Sequence, residues 1–171
     1  MSLPALADAL RDRDNVLGLP MIVNRKTVDP TDPSSPAVLQ LETAMGAAIE
    51  VFEGARALRV PRSRFAPVKT TNDLLVLRSD CYVLTGDQHV ELAPEREGKP
   101  PLVDLDPAYY KLVADFEARF PAGPPSLLRA RRFVVRGDVV FGADVVVTGD
   151  VEVRAAAEEQ VHIADGTVLE G

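Results

Sequence analysis

The sequence has 171 residues, is 46% apolar and carries a formal net charge of −7. A chain of this size can bury a core as one domain or two small ones, whereas its acidic charge argues against nucleic acid as the main partner, because binding to phosphate backbones relies on a basic surface. No apolar run approaches the roughly 20 residues of a membrane-spanning helix, and the N-terminus lacks a signal-like pattern, so we expect a cytoplasmic protein with no membrane partner.

Four elements are predicted in the first third of the chain. A helix begins near Leu3 and is closed by Gly18 and Pro20, and "LPMIVN" is typical of a short buried strand. A proline-rich loop, "KTVDPTDPSSP", follows. The stretch "VLQLETAMGAAIEVFEG" predicts the clearest helix, because six apolar residues share one helical face before Gly54: Val38, Leu41, Met45, Ala48, Ile49 and Phe52.

The middle of the chain predicts a capped helix, a hairpin and a second helix. Thr70 precedes Asp73 by three residues at the start of "TTNDLLVL", which is typical of a capping box. The stretch "YVLTGDQHVEL" indicates a hairpin around Gly86. Asp106 is a plausible N-cap, and one helical face follows it, ended by "PAGPP": Tyr109, Leu112, Val113, Phe116 and Phe120.

The C-terminal stretch repeats every six residues. "VRGDVV", "FGADVV" and "VTGDVE" are consecutive units, and "IADGTV" starts another at Ile163. Hexapeptide repetition is typical of a parallel β-helix in which the first and fifth residue of each unit point inward. The alternative is an antiparallel meander with Gly-Asp turns.

A basic segment, "VPRSRFAPVKTTNDLL", stands out in this acidic chain. No acidic residue lies between Arg59 and Asp73, and this stretch carries four basic residues: Arg59, Arg62, Arg64 and Lys69. Lys69 directly precedes the predicted helix cap, where a lysine and the helix N-terminus together could hold a phosphate. A solvated lysine is the alternative interpretation, and it is also the alternative for Lys26, which follows the predicted strand.

Motifs for other kinds of site are missing from the sequence. There is no glycine-rich phosphate-binding loop and no G-x-S-x-G or H-E-x-x-H pattern. Cys81 is the only cysteine in the sequence, and we interpret it as a small buried hydrophobic residue. His89 and His162 lie far apart in the sequence, so no zinc site is predicted. The abrupt start and end of the chain suggest an excised piece of a longer protein.

Three stretches carry a family resemblance: "QLETAMGAAI", "VPRSRFAPVKTTNDLL" and "GDVVFG", in that order. With "NRKTVDP" before them, they resemble the C-terminal part of eukaryotic-type UTP–glucose-1-phosphate uridylyltransferases, over nearly the whole chain. The resemblance implies an α/β remnant of a nucleotidyltransferase catalytic domain followed by a short left-handed parallel β-helix. It implies three segments: part of the catalytic domain in 1–90, a connection with one helix in 91–130, and the β-helix in 131–171.

The same resemblance implies a function. The family transfers a uridylyl group from UTP to glucose 1-phosphate with Mg²⁺ and releases pyrophosphate. The functional lysine of its "VKTT.DLL" motif falls on Lys69, as a catalytic residue, and the lysine of its "N.KT" motif falls on Lys26, as a substrate-binding residue. No metal ligand is identified in this chain. The nucleotide-binding part of the family is missing, so we expect this chain to be inactive alone.

Two other functions remain open on the sequence. A hexapeptide-repeat acyltransferase is one, although this chain offers only about two coils and His162 as a candidate catalytic histidine. A non-catalytic assembly module is the other, since the open end of a short β-helix exposes strand edges that could support self-association.

Overall fold

The computed structural model describes residues 2–61 and 65–171. Arg62 and Arg64 of the basic segment therefore lie outside the described residues. The chain divides into two compact units, Met1–Val60 and Pro61–Gly171. In the described part of the chain, no helix combines the length and apolar character needed to span a bilayer.

The first unit is built from a helix and a two-stranded ribbon. Its elements are α1 (Leu3–Arg11), β1 (Met21–Thr27), β2 (Ala37–Thr43) and a 3₁₀ helix (Met45–Glu50). The two strands are antiparallel, and their register is continuous from Met21 opposite Thr43 to Thr27 opposite Ala37. The predicted N-terminal helix and a strand in "LPMIVN" are confirmed. The predicted burial of that strand is wrong, because Met21, Ile22 and Val23 are exposed.

The helix predicted between Val38 and Gly54 is wrong over its first half. Residues Ala37–Thr43 form β2, and only Met45–Glu50 is helical, as a 3₁₀ helix. The apolar spacing fits a helix, but the backbone groups of this segment find partners along the whole of β1 instead. Tertiary pairing of this kind overrides a local preference of a few tenths of a kcal/mol per residue.

The second unit is α/β with parallel strands. In chain order its elements are α2 (Thr71–Arg78), β3 (Tyr82–Leu84), β4 (Val90–Leu92), a 3₁₀ helix (Pro94–Arg96), β5 (Leu102–Leu105), α3 (Pro107–Tyr110), α4 (Val113–Arg119), β6 (Ser126–Arg136), β7 (Asp138–Phe141), β8 (Val146–Arg154), β9 (Gln160–Ile163) and β10 (Val168–Glu170). One sheet has the order β10-β8-β6-β5, and β7 pairs with β9 in another. Both sheets are parallel.

The hexapeptide pattern is reflected directly in the burial of the C-terminal strands. The first and fifth residues of the three consecutive units are all buried, as the pattern predicts: Val135, Val139, Phe141, Val145, Val147 and Val151. Every pairing among the described strands from β6 onward is parallel, which excludes the antiparallel meander. The inward residues join the aromatic rings of Tyr110, Phe116 and Phe120 in one core.

Two shorter predictions are also confirmed, and one is corrected. The hairpin forms between β3 and β4, and Asp106 caps α3 by accepting a hydrogen bond from the N–H of Ala108. The single helix expected from Tyr109 to Phe120 is two helices. The chain is extended at Leu112, so α3 ends before this residue and α4 begins after it.

Candidate functional site

Lys69 lies at the entrance to α2, and the carboxylate of Asp73 fixes the backbone there. One oxygen of Asp73 accepts hydrogen bonds from the N–H of Lys69 at 3.0 Å, from the N–H of Thr70 at 2.9 Å and from the Thr70 hydroxyl at 2.9 Å. Together with the bond from the third helical N–H to the Thr70 side chain, this is the predicted capping box. The start of α2 therefore holds the lysine backbone in one conformation.

These contacts keep Asp73 ionised. Partial burial acts to raise the pKa of Asp73, but the hydrogen bonds from the backbone of Lys69 and Thr70 outweigh it, and the Lys69 charge adds to them, so the pKa lies below its usual value. The capping box is consequently at full strength near neutral pH.

The same carboxylate changes the expected role of the helix N-terminus. The sequence suggested that backbone N–H groups and Lys69 together could hold a phosphate. Two of those groups, on Lys69 and Thr70, are already bonded to Asp73. The Lys69 side chain is exposed, and among the described residues no carboxylate lies within 4 Å of its ammonium group, so the ammonium is the group available to an anion.

Helix α2 is itself attached firmly to the parallel sheet. Leu75 of α2 is fully buried in the core. Asn72 accepts a hydrogen bond from the N–H of Leu105 in β5 at 3.0 Å. Just after the helix, Asp80 accepts one from the N–H of Leu127 in β6 at 2.9 Å. A charged group at the start of α2 is thus positioned by a rigid element, which favours precise electrostatic work.

A groove borders the segment that leads to Lys69. Two adjoining cavities, of about 130 and 390 Å³, share four lining residues: Ala66, Pro67, Tyr82 and Pro100. Val68 and Asp73 line the smaller one. Most of the residues that line the two cavities are apolar, and Glu91 also lines the larger one. The chain before Lys69 therefore lies against a concave surface of the second unit.

Lys26 lies on strand β1 of the first unit. It is exposed and lies opposite Val38 in the register. Two residues earlier, the side-chain amide of Asn24 donates a hydrogen bond to a carboxylate oxygen of Glu42 on β2, at 2.8 Å. Lys26 and Lys69 belong to different compact units. Each lysine has its own local setting, one on a ribbon and one at a helix start.

The sequence analysis did not predict the hydrogen bond between Asn24 and Glu42. The only signal was alternation, since Asn24 and Lys26 are two residues apart, as are Gln40 and Glu42. Alternation of this kind places residues on one face of a strand, but the second pair falls within the stretch whose apolar spacing predicts a helix. Within residues 2–61 and 65–171, no three His, Cys, Asp or Glu side chains are grouped so as to hold a metal ion.

Comparison with known proteins gives one family throughout. The family model described as UTP–glucose-1-phosphate uridylyltransferase matches residues 1–148. The enzyme of that name from Hordeum vulgare is 47% identical over 156 residues, which is 90% of this chain and 31% of the relative. The Saccharomyces cerevisiae enzyme is 40% identical over 154 residues, covering 90% and 30%.

Solved structures agree with the sequence relatives. The structure of a UDP-glucose phosphorylase from Trypanosoma brucei superposes with a TM-score of 0.91 at 48% identity, covering 99% of this chain and 36% of that one. A UDP-glucose pyrophosphorylase mutant from Leishmania major, solved in complex with UDP-glucose, gives 0.85 at 48% identity, covering 99% and 36%. The chain thus spans about a third of the length of the proteins it matches.

Proposed function

Because the chain belongs to the UTP–glucose-1-phosphate uridylyltransferase family, we propose that it contributes Lys69 as a catalytic residue and Lys26 as a substrate-binding residue to the formation of UDP-glucose and pyrophosphate from UTP and glucose 1-phosphate. The observation that carries the proposal is the setting of Lys69, an exposed cation whose backbone is fixed by Asp73 at the start of a helix anchored in the core. The acyltransferase and pure assembly alternatives gain no support from the family match.

The chemistry requires a fixed positive charge. A phosphate oxygen of glucose 1-phosphate attacks the α-phosphorus of UTP in line, and the bond from that phosphorus to the bridging oxygen breaks as pyrophosphate leaves. Negative charge is distributed over the equatorial and leaving oxygens in the transition state. The ammonium of Lys69 stabilises that charge without transferring a proton, and its held backbone lowers the cost of reorganisation.

Lys26 has the simpler task of binding an anion. Its ammonium is exposed on strand β1, where it can form a charge-assisted hydrogen bond with a substrate phosphate. An interaction of this kind is made in both the ground state and the transition state. Its removal therefore raises KM more than it lowers kcat.

Magnesium is part of the proposal only as a component that the family resemblance implies. The described residues provide no group of three His, Cys, Asp or Glu side chains for a metal ion. No metal ligand is therefore proposed among the described residues, and none of the steps above is assigned to the metal.

We also propose that 131–171 is a short left-handed β-helix, that 1–90 belongs to the catalytic α/β domain and that 91–130 connects them. The parallel pairing of β6, β8 and β10 and the inward hexapeptide residues support the β-helix. Strand β10 lies at the edge of its sheet, where it could pair with a second copy. Sedimentation of the chain over a range of concentrations tests self-association, and a monomer at every concentration would count against it.

A hybrid enzyme tests the proposed function. In it, this chain replaces the matching stretch of the Hordeum vulgare relative, and pyrophosphate release is measured with UTP, glucose 1-phosphate and magnesium. We expect the hybrid enzyme to turn over and the 171-residue chain alone to release no pyrophosphate above background, because its sequence has no glycine-rich nucleotide loop. UDP-glucose formation by the chain alone, or a folded but inactive hybrid enzyme, would contradict the proposal.

A further inference from the structure

The carboxylate of Asp73 reaches one residue further than a capping box requires. In a capping box, the acid at the third helical position accepts a hydrogen bond from the N–H of the cap residue, which here is Thr70. The same oxygen of Asp73 also accepts a bond from the N–H of Lys69, at 3.0 Å. Because Lys69 precedes the cap, this additional bond lies outside the helix and fixes the backbone from which the lysine side chain extends.

The bond to the Lys69 backbone leaves the charge of the lysine available. Among the ion pairs that the described residues form within 4 Å, none joins the Asp73 carboxylate to the Lys69 ammonium. A carboxylate paired with the ammonium would compete with an anionic ligand for it. The bonded oxygen of Asp73 is engaged instead by two backbone N–H groups and the Thr70 hydroxyl. Asp73 therefore holds the lysine by its main chain and leaves its side chain able to act on a phosphate.

Helix α2 is attached to the parallel sheet near both of its ends. In its first turn, Asn72 accepts a hydrogen bond from the N–H of Leu105 in β5 at 3.0 Å. Just beyond its C-terminal end, Asp80 accepts one from the N–H of Leu127 in β6 at 2.9 Å. Strands β5 and β6 are neighbours in one sheet. A carboxylate in the first turn of α2 therefore has a rigid support, as the precise placement of a catalytic group requires.

From these contacts we propose that Asp73 is the residue that positions Lys69 for catalysis, by holding the lysine backbone against the first turn of α2. The inference rests on the proposed function, and it adds to that function the residue that aims the catalytic charge. Asp73 touches no reacting atom and acts only through Lys69. A displacement of about 1 Å in a catalytic group can cost about 10²-fold in rate. Loss of the Asp73 carboxylate should therefore lower turnover and leave substrate affinity almost unchanged.

A double-mutant cycle in the hybrid enzyme measures whether Asp73 acts through Lys69. Values of kcat and of KM for UTP and glucose 1-phosphate are determined for Asp73→Ala, Lys69→Ala and the double variant, each shown to be folded by circular dichroism. Asp73→Ala alone is expected to lower kcat about 10- to 100-fold and to change each KM by less than about twofold. In the Lys69→Ala background, the same substitution should change kcat by less than about twofold, because no lysine charge remains to be positioned.

Two further variants separate positioning from a general loss of stability. Asp80→Ala removes the carboxylate that bonds to the N–H of Leu127 beyond the opposite end of α2, so it weakens the attachment of the same helix without touching Lys69. It is expected to keep kcat within about twofold of the unsubstituted hybrid enzyme. Asp73→Asn keeps an acceptor oxygen for the backbone N–H groups, so it should retain more of the rate than Asp73→Ala. If Asp73→Ala does not fold, Asp73→Asn takes its place in the cycle, and its loss of rate should likewise disappear in the Lys69→Ala background.

The outcomes distinguish this inference from the proposed function. If Lys69→Ala lowers kcat but Asp73→Ala leaves it unchanged, the positioning role is overturned and the catalytic role of Lys69 stands. Equal losses from Asp73→Ala with and without Lys69, or an equal loss from Asp80→Ala, would also overturn the positioning role, because they indicate a structural effect. An unchanged kcat for Lys69→Ala would overturn the proposed function itself, and the positioning role with it.

Discussion

Replacing Asp73 by alanine should destabilise the second unit, because one carboxylate oxygen organises the entire start of α2. It accepts bonds from two backbone N–H groups and one hydroxyl, on Lys69 and Thr70. Removing an N-terminal cap usually costs about 0.5–2 kcal/mol. Three partners to an ionised group argue for the upper part of this range, and partial exposure to water argues against a larger value, so we expect a loss of about 2 kcal/mol.

Helix α4 provides a matched control. Asp115 occupies the third position of α4, as Asp73 does in α2, but the cap residue of α4, Leu112, makes no side-chain cap bond. Asp115→Ala should therefore lose only the interaction with the helix dipole, less than about 1 kcal/mol.

Tyrosine fluorescence during urea unfolding is the appropriate assay. The chain has no tryptophan, and its three tyrosines, Tyr82, Tyr109 and Tyr110, all lie in the second unit. The pKa of Asp73 is lowered in the folded chain, so its stabilisation is present above its unfolded pKa of about 3.9 and is lost as the pH falls through the lower folded value. Equal losses for the two variants at pH 7, or a difference that persists in acid, would refute the reasoning.

Two further predictions concern the core of the second unit. The buried hydroxyl of Tyr110 donates to the carbonyl of Val139 at 2.6 Å, and burial raises its pKa well above the ordinary value. Tyr110→Phe should lower the free energy of unfolding by about 1–3 kcal/mol, because it leaves that buried carbonyl unpaired, and chemical denaturation measures the change. Burial likewise raises the pKa of the Cys81 thiol, and the side chain is fully inaccessible to solvent. A thiol reagent should therefore modify Cys81 only after unfolding. Rapid reaction in the folded chain would contradict the placement of Cys81 in the core.

Local patterns predicted the second unit well. The hexapeptide units placed Val135, Val139 and Phe141 in the core, because each unit contributes the same inward positions whatever its neighbours are. The capping box of Thr70 and Asp73 was also predictable from the sequence, because the two residues are three positions apart and interact within one helical turn.

The pairing of β1 with β2 could not be predicted from local patterns. Val38 and Leu41 have a spacing that suits a helix, and only the pairing of their strand with the earlier strand β1 decides against it. The bond from Asn24 to Glu42 depends on that register, so no local pattern identifies it. Side chains of two strands come together only once the strands are paired.

The central claim is that Lys69 stabilises charge that develops in the transition state, and steady-state kinetics of Lys69→Ala in the hybrid enzyme tests it most directly. We predict that kcat falls by roughly 10²–10³-fold, with little change in KM for UTP or glucose 1-phosphate. Lys69→Arg should restore only part of the rate, because its planar group places the charge differently. Lys111→Ala, an exposed lysine of the same unit, serves as the control and should keep its rate. A folded Lys69→Ala hybrid enzyme whose kcat stays within about twofold of the unsubstituted one, as expected for a surface substitution, would contradict the claim.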